Sequence, residues 1–122
     1  KKKTYSLMKS KITSLSKNIE FRSILKGKKI SNKYSTIFFK KISGKDNNKL
    51  NVSFVTKKKI GNAVERNKIK RRLRNIMNYI VGKKKINTSF SYLIIAKKII
   101  LNENYNMLKE NFLFEFKKTN LK

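Results

Sequence analysis

No cysteine, histidine, proline or tryptophan occurs in this chain of 122 residues. The first two absences exclude a disulfide framework, cysteine–histidine zinc sites, thiol nucleophiles and imidazole acid–base chemistry. They also leave the redox compartment unmarked in the composition. Acidic residues are scarce: Asp and Glu total six against 33 Lys and Arg, a formal net charge of +27. Glu20, Asp46, Glu103, Glu110 and Glu115 form no pair at a spacing suited to metal ligation or to general acid–base work. Long apolar runs are missing too. The longest, Tyr92 to Ala96, falls far short of the ~20 residues of a membrane-spanning helix. The basic start Lys1–Lys3 is not followed by an apolar segment, so no signal peptide is expected and a cytoplasmic location fits best.

What is present suffices for one small folded domain. Hydrophobic residues make up 39% and aromatics 11% of the chain, which sets it apart from a disordered basic tail. A charge of +27 repels itself in a compact monomer unless a polyanion screens it. Nucleic acid is the first choice of polyanion and an anionic membrane surface the second.

Four glycines, Gly27, Gly44, Gly61 and Gly82, punctuate the chain, and no repeat or Gly/Ser linker divides it. Residues 1–11 read as a basic flexible arm and residues 12–122 as a single domain. Ser16-Lys17-Asn18 opens a short helix carrying Ile19, Phe21, Ile24 and Leu25, closed by Gly27. Lys33 to Ile42 and Leu50 to Thr56 have strand character, and Gly44 to Lys49 between them has the composition of a hairpin loop. Along the first strand Tyr34, Thr36 and Phe38 alternate with Ser35, Ile37 and Phe39, and the alternation leaves open which set faces inward.

Gly61-Asn62 introduces the longest helix, about Ala63 to Val81, with an apolar stripe of Ile69, Leu73, Ile76 and Ile80 and Met77 beside it. Phe90 to Lys97 is a continuous apolar strand suited to the middle of a sheet. A last helix places Tyr105, Leu108, Phe112 and Phe116 on one side. The order is α-β-β-α-β-α, with an additional short strand near Lys28 to Ser31, which predicts an α+β sandwich of helices on one small sheet.

Arginine is used selectively. Five arginines stand against 28 lysines, and Arg66, Arg71, Arg72 and Arg74 fall within nine residues of the long helix. The planar guanidinium fork can grip a phosphate bidentately or stack on a base, which an ammonium cannot do. At roughly 100° per residue, Asn67, Lys68, Arg71, Arg74, Asn75 and Asn78 lie opposite the apolar stripe, with Arg66 and Arg72 on its shoulders. A charged solvated face is the plain alternative. However, six cations from Arg66 to Arg74 have only Glu65 nearby and no Glu at i±4 to relieve their repulsion, which favours an external anion. Gly61-Asn62 at the helix N-terminus, preceded by Lys57-Lys58-Lys59, continues the basic surface; a plain turn and N-cap is the other reading of that pair. Phe21, Leu25, Ile37 and Phe39 are candidates for core or for a cleft in which single-stranded bases stack, with Tyr34 and Phe38 competing for the same places.

The segment Lys58-Lys59-Ile60-Gly61-Asn62-Ala63-Val64-Glu65-Arg66-Asn67-Lys68-Ile69-Lys70-Arg71-Arg72-Leu73-Arg74 resembles the signature of the bacterial ribonuclease P protein subunit. Phe21 to Gly27 is similar to that family's first helix, and Tyr92 to Lys97 to its last strand, so the likeness covers about residues 12–117. Lys68 departs from the pattern, standing where the family has a second arginine; Lys97 likewise stands where arginine is common. The resemblance implies a two-layer α-β sandwich related to a ribosomal-protein domain, with a left-handed βαβ crossover. It further implies a protein that binds a large catalytic RNA and the 5′ leader of precursor tRNA, with no obligate protein partner. The Mg²⁺-dependent hydrolysis would take place on the RNA. By position, Lys58, Lys59, Asn62, Arg66, Asn67, Lys68, Lys70, Arg71 and Arg74 would contact the RNA subunit. Phe21, Leu25, Ile37 and Phe39 would line the leader cleft. Two other classes compete: a protein bound permanently to ribosomal RNA, and a nuclease acting alone. No constellation of carboxylates supports the latter.

Overall fold

The computed structural model describes residues 12–13, 18–42, 49–83 and 86–118. The sheet has five strands: β1 (Ile12–Thr13), β2 (Lys28–Ser31), β3 (Ser35–Lys40), β4 (Leu50–Val55) and β5 (Ser91–Ala96), in the spatial order β1-β4-β5-β3-β2. Three α-helices accompany it: α1 (Asn18–Ile24), α2 (Ala63–Gly82) and α3 (Tyr105–Lys117). Two 3₁₀ turns, Lys58–Ile60 and Lys98–Leu101, precede α2 and α3. The expected basic arm at 1–11, the helix opening at Ser16-Lys17, most of the loop at 43–48 and the turn lysines 84–85 lie outside the described residues.

The apolar strand expected in the middle of the sheet is there. β5 runs antiparallel to β3, with Ile37 opposite Ile94, and parallel to β4, with Val52 opposite Tyr92. This arrangement corrects the hairpin expected between β3 and β4. β5 lies between them, and the antiparallel neighbour of β3 on its other side is β2. Turn chemistry at Gly44 to Lys49 reports a change of direction, whereas strand pairing is decided by burial: β5, apolar from Tyr92 to Ala96, takes the position covered on both sides.

Strand alternation then assigns two unlike faces. Leu50, Val52, Tyr92, Ile94, Ile37 and Phe39 point to the layer formed by α2 and α3, and all are at most 1% exposed. The helices answer with Ile69, Leu73, Ile76, Met77 and Ile80 from α2 and Leu108, Phe112 and Phe116 from α3, every one fully buried. Aromatic edges interlock in the centre: the Tyr92 ring lies 5.2 Å from Phe116 and 5.9 Å from Phe39. On the opposite face a smaller cluster joins Ile24 of α1 to Leu93, with Phe21, Phe38, Ile42 and Val55 packed around it. Gly27 carries the chain from α1 into β2 across β3. Any Cβ there would collide with the Phe39 carbonyl and the Lys40 side chain, so only glycine permits the approach.

Candidate nucleic-acid interface

Helix α2 is fixed at its start and along one side, which determines what its other side presents. Asn62 is the N-cap. Its Oδ1 accepts the Glu65 N–H at 2.8 Å, and the Glu65 carboxylate accepts the Asn62 N–H at 3.0 Å. This capping box satisfies two otherwise orphaned donors, so the Asn62 side chain is committed to the helix. A Cβ at Gly61 would come 2.6 Å from Glu65 Oε1, so glycine there makes room for the returning carboxylate. With the apolar stripe buried, Asn67, Lys68, Arg71, Arg74 and Asn75 are exposed along the outer face, as their spacing predicts, and Lys70 is half-buried at its border.

The four clustered arginines divide into distinct roles. Arg72 reaches away from the outer face and donates from Nη1 to the carbonyls of Ile100 at 2.6 Å and Leu101 at 2.9 Å, and from Nη2 to the carbonyl of Glu103. It thereby binds α2 to the 3₁₀ turn ahead of α3, meeting three carbonyls from two separate nitrogens of its planar fork, a spread that a lysine's single nitrogen lacks. Arg66 turns back to donate from Nε to the Gly61 carbonyl at 3.2 Å. Arg74 lies with its guanidinium 6.0 Å from the Phe54 ring centroid while remaining exposed. Arg71 and Lys68 stand in solvent, and among the described residues no ion pair engages any cation of this helix. Among the described residues the cationic face therefore has no ion-pair partner, and its charge is available to an external anion.

The cleft residues fall in different places from those expected. Ile37 and Phe39 are 0% and 1% exposed beneath α2 and α3, which corrects their assignment to a ligand cleft: the strand's two-residue period turns them into the main core. Tyr34 belongs to that core as well, 6.4 Å from the Phe112 ring. Leu25 is 47% exposed just past the end of α1 and joins neither cluster. Phe21 does lie over the second face, half-buried, and Phe38 rather than Phe39 packs against the same cluster.

That second face is only partly covered, and it ends in a basic hollow. Thr36 and Ile95, paired across β3 and β5 and both half-exposed, contribute to a depression of about 270 Å³ also lined by Ile60 and Ala96. Lys57, Lys59, Lys97 and Lys98 surround it. Lys59 thus lines this hollow, and Lys58 is exposed on the same 3₁₀ turn. Lys97 Nζ donates to the Asn32 carbonyl at 2.8 Å, which steadies its stem beside the hollow. Sequence reasoning named Phe38 only as a competitor for the cleft and Lys97 only as a departure from the family pattern, and it did not single out Thr36, Ile95 or Lys98, which line this hollow. Register supplies the missing signal, because positions 36 and 38 share a face only with 95 and 93 of β5.

A small α+β domain with a cationic helix on one side and a basic, partly open sheet face on the other is the class these features define. The family model for Ribonuclease P matches residues 8–120, and the chain belongs to that family. It is 42% identical over 67 residues to the ribonuclease P protein component of Syntrophomonas wolfei, a match spanning 54% of each chain; the likeness thus covers about half the length of that relative. Among solved structures, the ribonuclease P protein of Thermotoga maritima superposes with a TM-score of 0.73 at 28% identity, over 87% of this chain and 96% of that one. The Staphylococcus aureus protein superposes with a TM-score of 0.69 at 25% identity, over 87% and 95%. These agreements extend to the fold: a small mixed sheet with three helices.

Proposed function

We propose that this chain is the protein component of a ribonuclease P ribonucleoprotein that removes the 5′ leader from precursor tRNA. The observation that carries the reading is the cationic face of α2, where Lys68, Arg71 and Arg74 stand exposed with the neighbouring polar groups Asn67 and Asn75. This face docks on the catalytic RNA. Guanidinium forks grip phosphates there, and the amides add hydrogen bonds to sugar or base. Arg66 and Asn62 act behind it, holding the helix start in place.

The partly open sheet face takes the single-stranded leader. Phe21 and Phe38 offer aromatic surface to unstacked bases, and the lysines around Thr36 and Ile95 hold the phosphates that follow. Two RNA-binding surfaces on opposite sides of one small domain let it bridge the catalytic RNA and its substrate. Added cations offset phosphate repulsion, so the protein raises substrate affinity and lowers the Mg²⁺ concentration required.

Mg²⁺ is assigned to the RNA. Among the described residues no three carboxylates, cysteines or histidines converge on a point where an ion could be held. The chain's own work is binding and positioning, and the hydrolytic groups belong to the RNA partner. The test is reconstitution with a bacterial ribonuclease P RNA at low Mg²⁺, following leader cleavage. Strong stimulation by the protein, with no cleavage by protein alone, is expected. Cleavage by RNA-free protein, or no stimulation, would contradict the reading.

A further inference from the structure

A hollow of about 460 Å³ lies beside the outer face of α2 and is not accounted for by phosphate docking. One wall is α2, with Lys68, Arg71, Arg72 and Asn75. The other is the segment entering α3, with Leu101, Asn102, Glu103 and Tyr105. Its size falls in the range of sites that enclose a small planar ligand. Its chemistry is not that of a plain electrostatic groove. Leu101 is buried, and Tyr105 is 37% exposed at the mouth. An acidic residue, Glu103, lines the hollow together with the cations, where its charge would weaken phosphate binding unless it served some other contact.

The walls are held in place before any ligand arrives. Arg72 ties Ile100, Leu101 and Glu103 to α2 through their carbonyls, which fixes the width of the hollow. Asn104 caps α3, its Oδ1 accepting the Met107 N–H at 3.1 Å, and so sets the position of Tyr105 at the first turn. Lys109 Nζ lies 4.4 Å from the Tyr79 ring centroid and 6.0 Å from that of Tyr105, linking α3 to α2 next to the site.

We propose that this hollow receives one unstacked nucleobase of the RNA bound by α2, with Tyr105 stacking on the base and Glu103 accepting a hydrogen bond from its exocyclic amino group. Lys68 and Arg71 hold the phosphates beside that nucleotide, and Asn75 and Asn102 meet the remaining polar edge. The carboxylate accepts from the exocyclic amino group of adenine, cytosine or guanine; uracil has no such group and offers a carboxylate only its ring N3–H. The inference rests on α2 being the RNA-docking helix, and it adds a base-specific contact to an otherwise sequence-tolerant surface.

The experiment measures binding of the full chain to a bacterial ribonuclease P RNA across a salt series, together with dimethyl sulfate reactivity of adenines and cytosines in the complex. Tyr105→Ala should weaken binding about tenfold at every salt concentration, because loss of stacking removes no phosphate contact. Tyr105→Phe should bind as the parent does. One adenine or cytosine should be protected by the parent and by Tyr105→Phe, and reactive with Tyr105→Ala. Asn75→Ala, on the exposed side of a well-packed helix, provides a second variant independent of α3 folding and should weaken binding about threefold. Parent-like affinity and protections in Tyr105→Ala would overturn the base pocket while leaving α2 docking intact. If the parent itself does not bind the RNA, both the pocket and the docking reading fall.

Discussion

Along β3, Ile37 and Phe39 point into a face sealed by two helices, whereas Thr36 and Phe38, one residue away, point to a face that α1 covers only in part. The same six-residue strand therefore serves stability on one side and leaves surface for a ligand on the other. Helix α2 repeats the division within a single turn. Arg72 is spent on three backbone carbonyls, while Arg71 stands in solvent. In a chain with so much positive charge, what separates structural from functional cations is whether the charged group already has a partner.

The sharpest way to break the comparison is to truncate neighbours on β3. Phe39→Ala should lose about 3–5 kcal/mol of stability in urea unfolding, because the ring is fully enclosed by aromatic neighbours. Phe38→Ala should lose less than half as much; equal losses would mean that both faces are core. Next in size is Arg72→Lys, which keeps the charge and removes the fork. A drop of about 1–3 kcal/mol is expected from the carbonyls left unsatisfied, whereas Arg71→Lys should melt as the parent does. Asn62→Ala should cost about 1 kcal/mol through loss of the cap and leave the salt dependence of RNA binding unchanged. The smallest stability effect belongs to Arg71→Ala, within about 0.5 kcal/mol. In RNA binding that variant should lower both affinity and the salt slope, the latter by about one. An unchanged slope would mean that Arg71 only solvates the helix.

Much of this molecule is legible in the sequence wherever periodicity is local. The stripe from Ile69 to Ile80 identifies the buried side of α2, and the outer cations follow from it. The unbroken apolar run of β5 announces a central strand. Strand neighbours are less legible, because β5 enters between β3 and β4 from about forty residues downstream of β4. The inward face of β3 is ambiguous for a physical reason: both alternating sets contain large apolar residues, since helices cover both sides of the sheet. The grip of Arg72 joins residues 28 to 31 positions apart, and no spacing rule reports such a contact.

The central claim is that the partly open sheet face, and not the sealed one, holds the leader. The most direct test compares the affinity of the reconstituted complex for precursor tRNA with its affinity for the same tRNA lacking a leader. For the parent protein the leader should tighten binding. Phe38→Ala should abolish most of that gain, and Phe39→Leu, which changes the opposite face while keeping it apolar, should retain it. A full leader-dependent gain in Phe38→Ala, or its loss in Phe39→Leu with the domain still folded, would contradict the account.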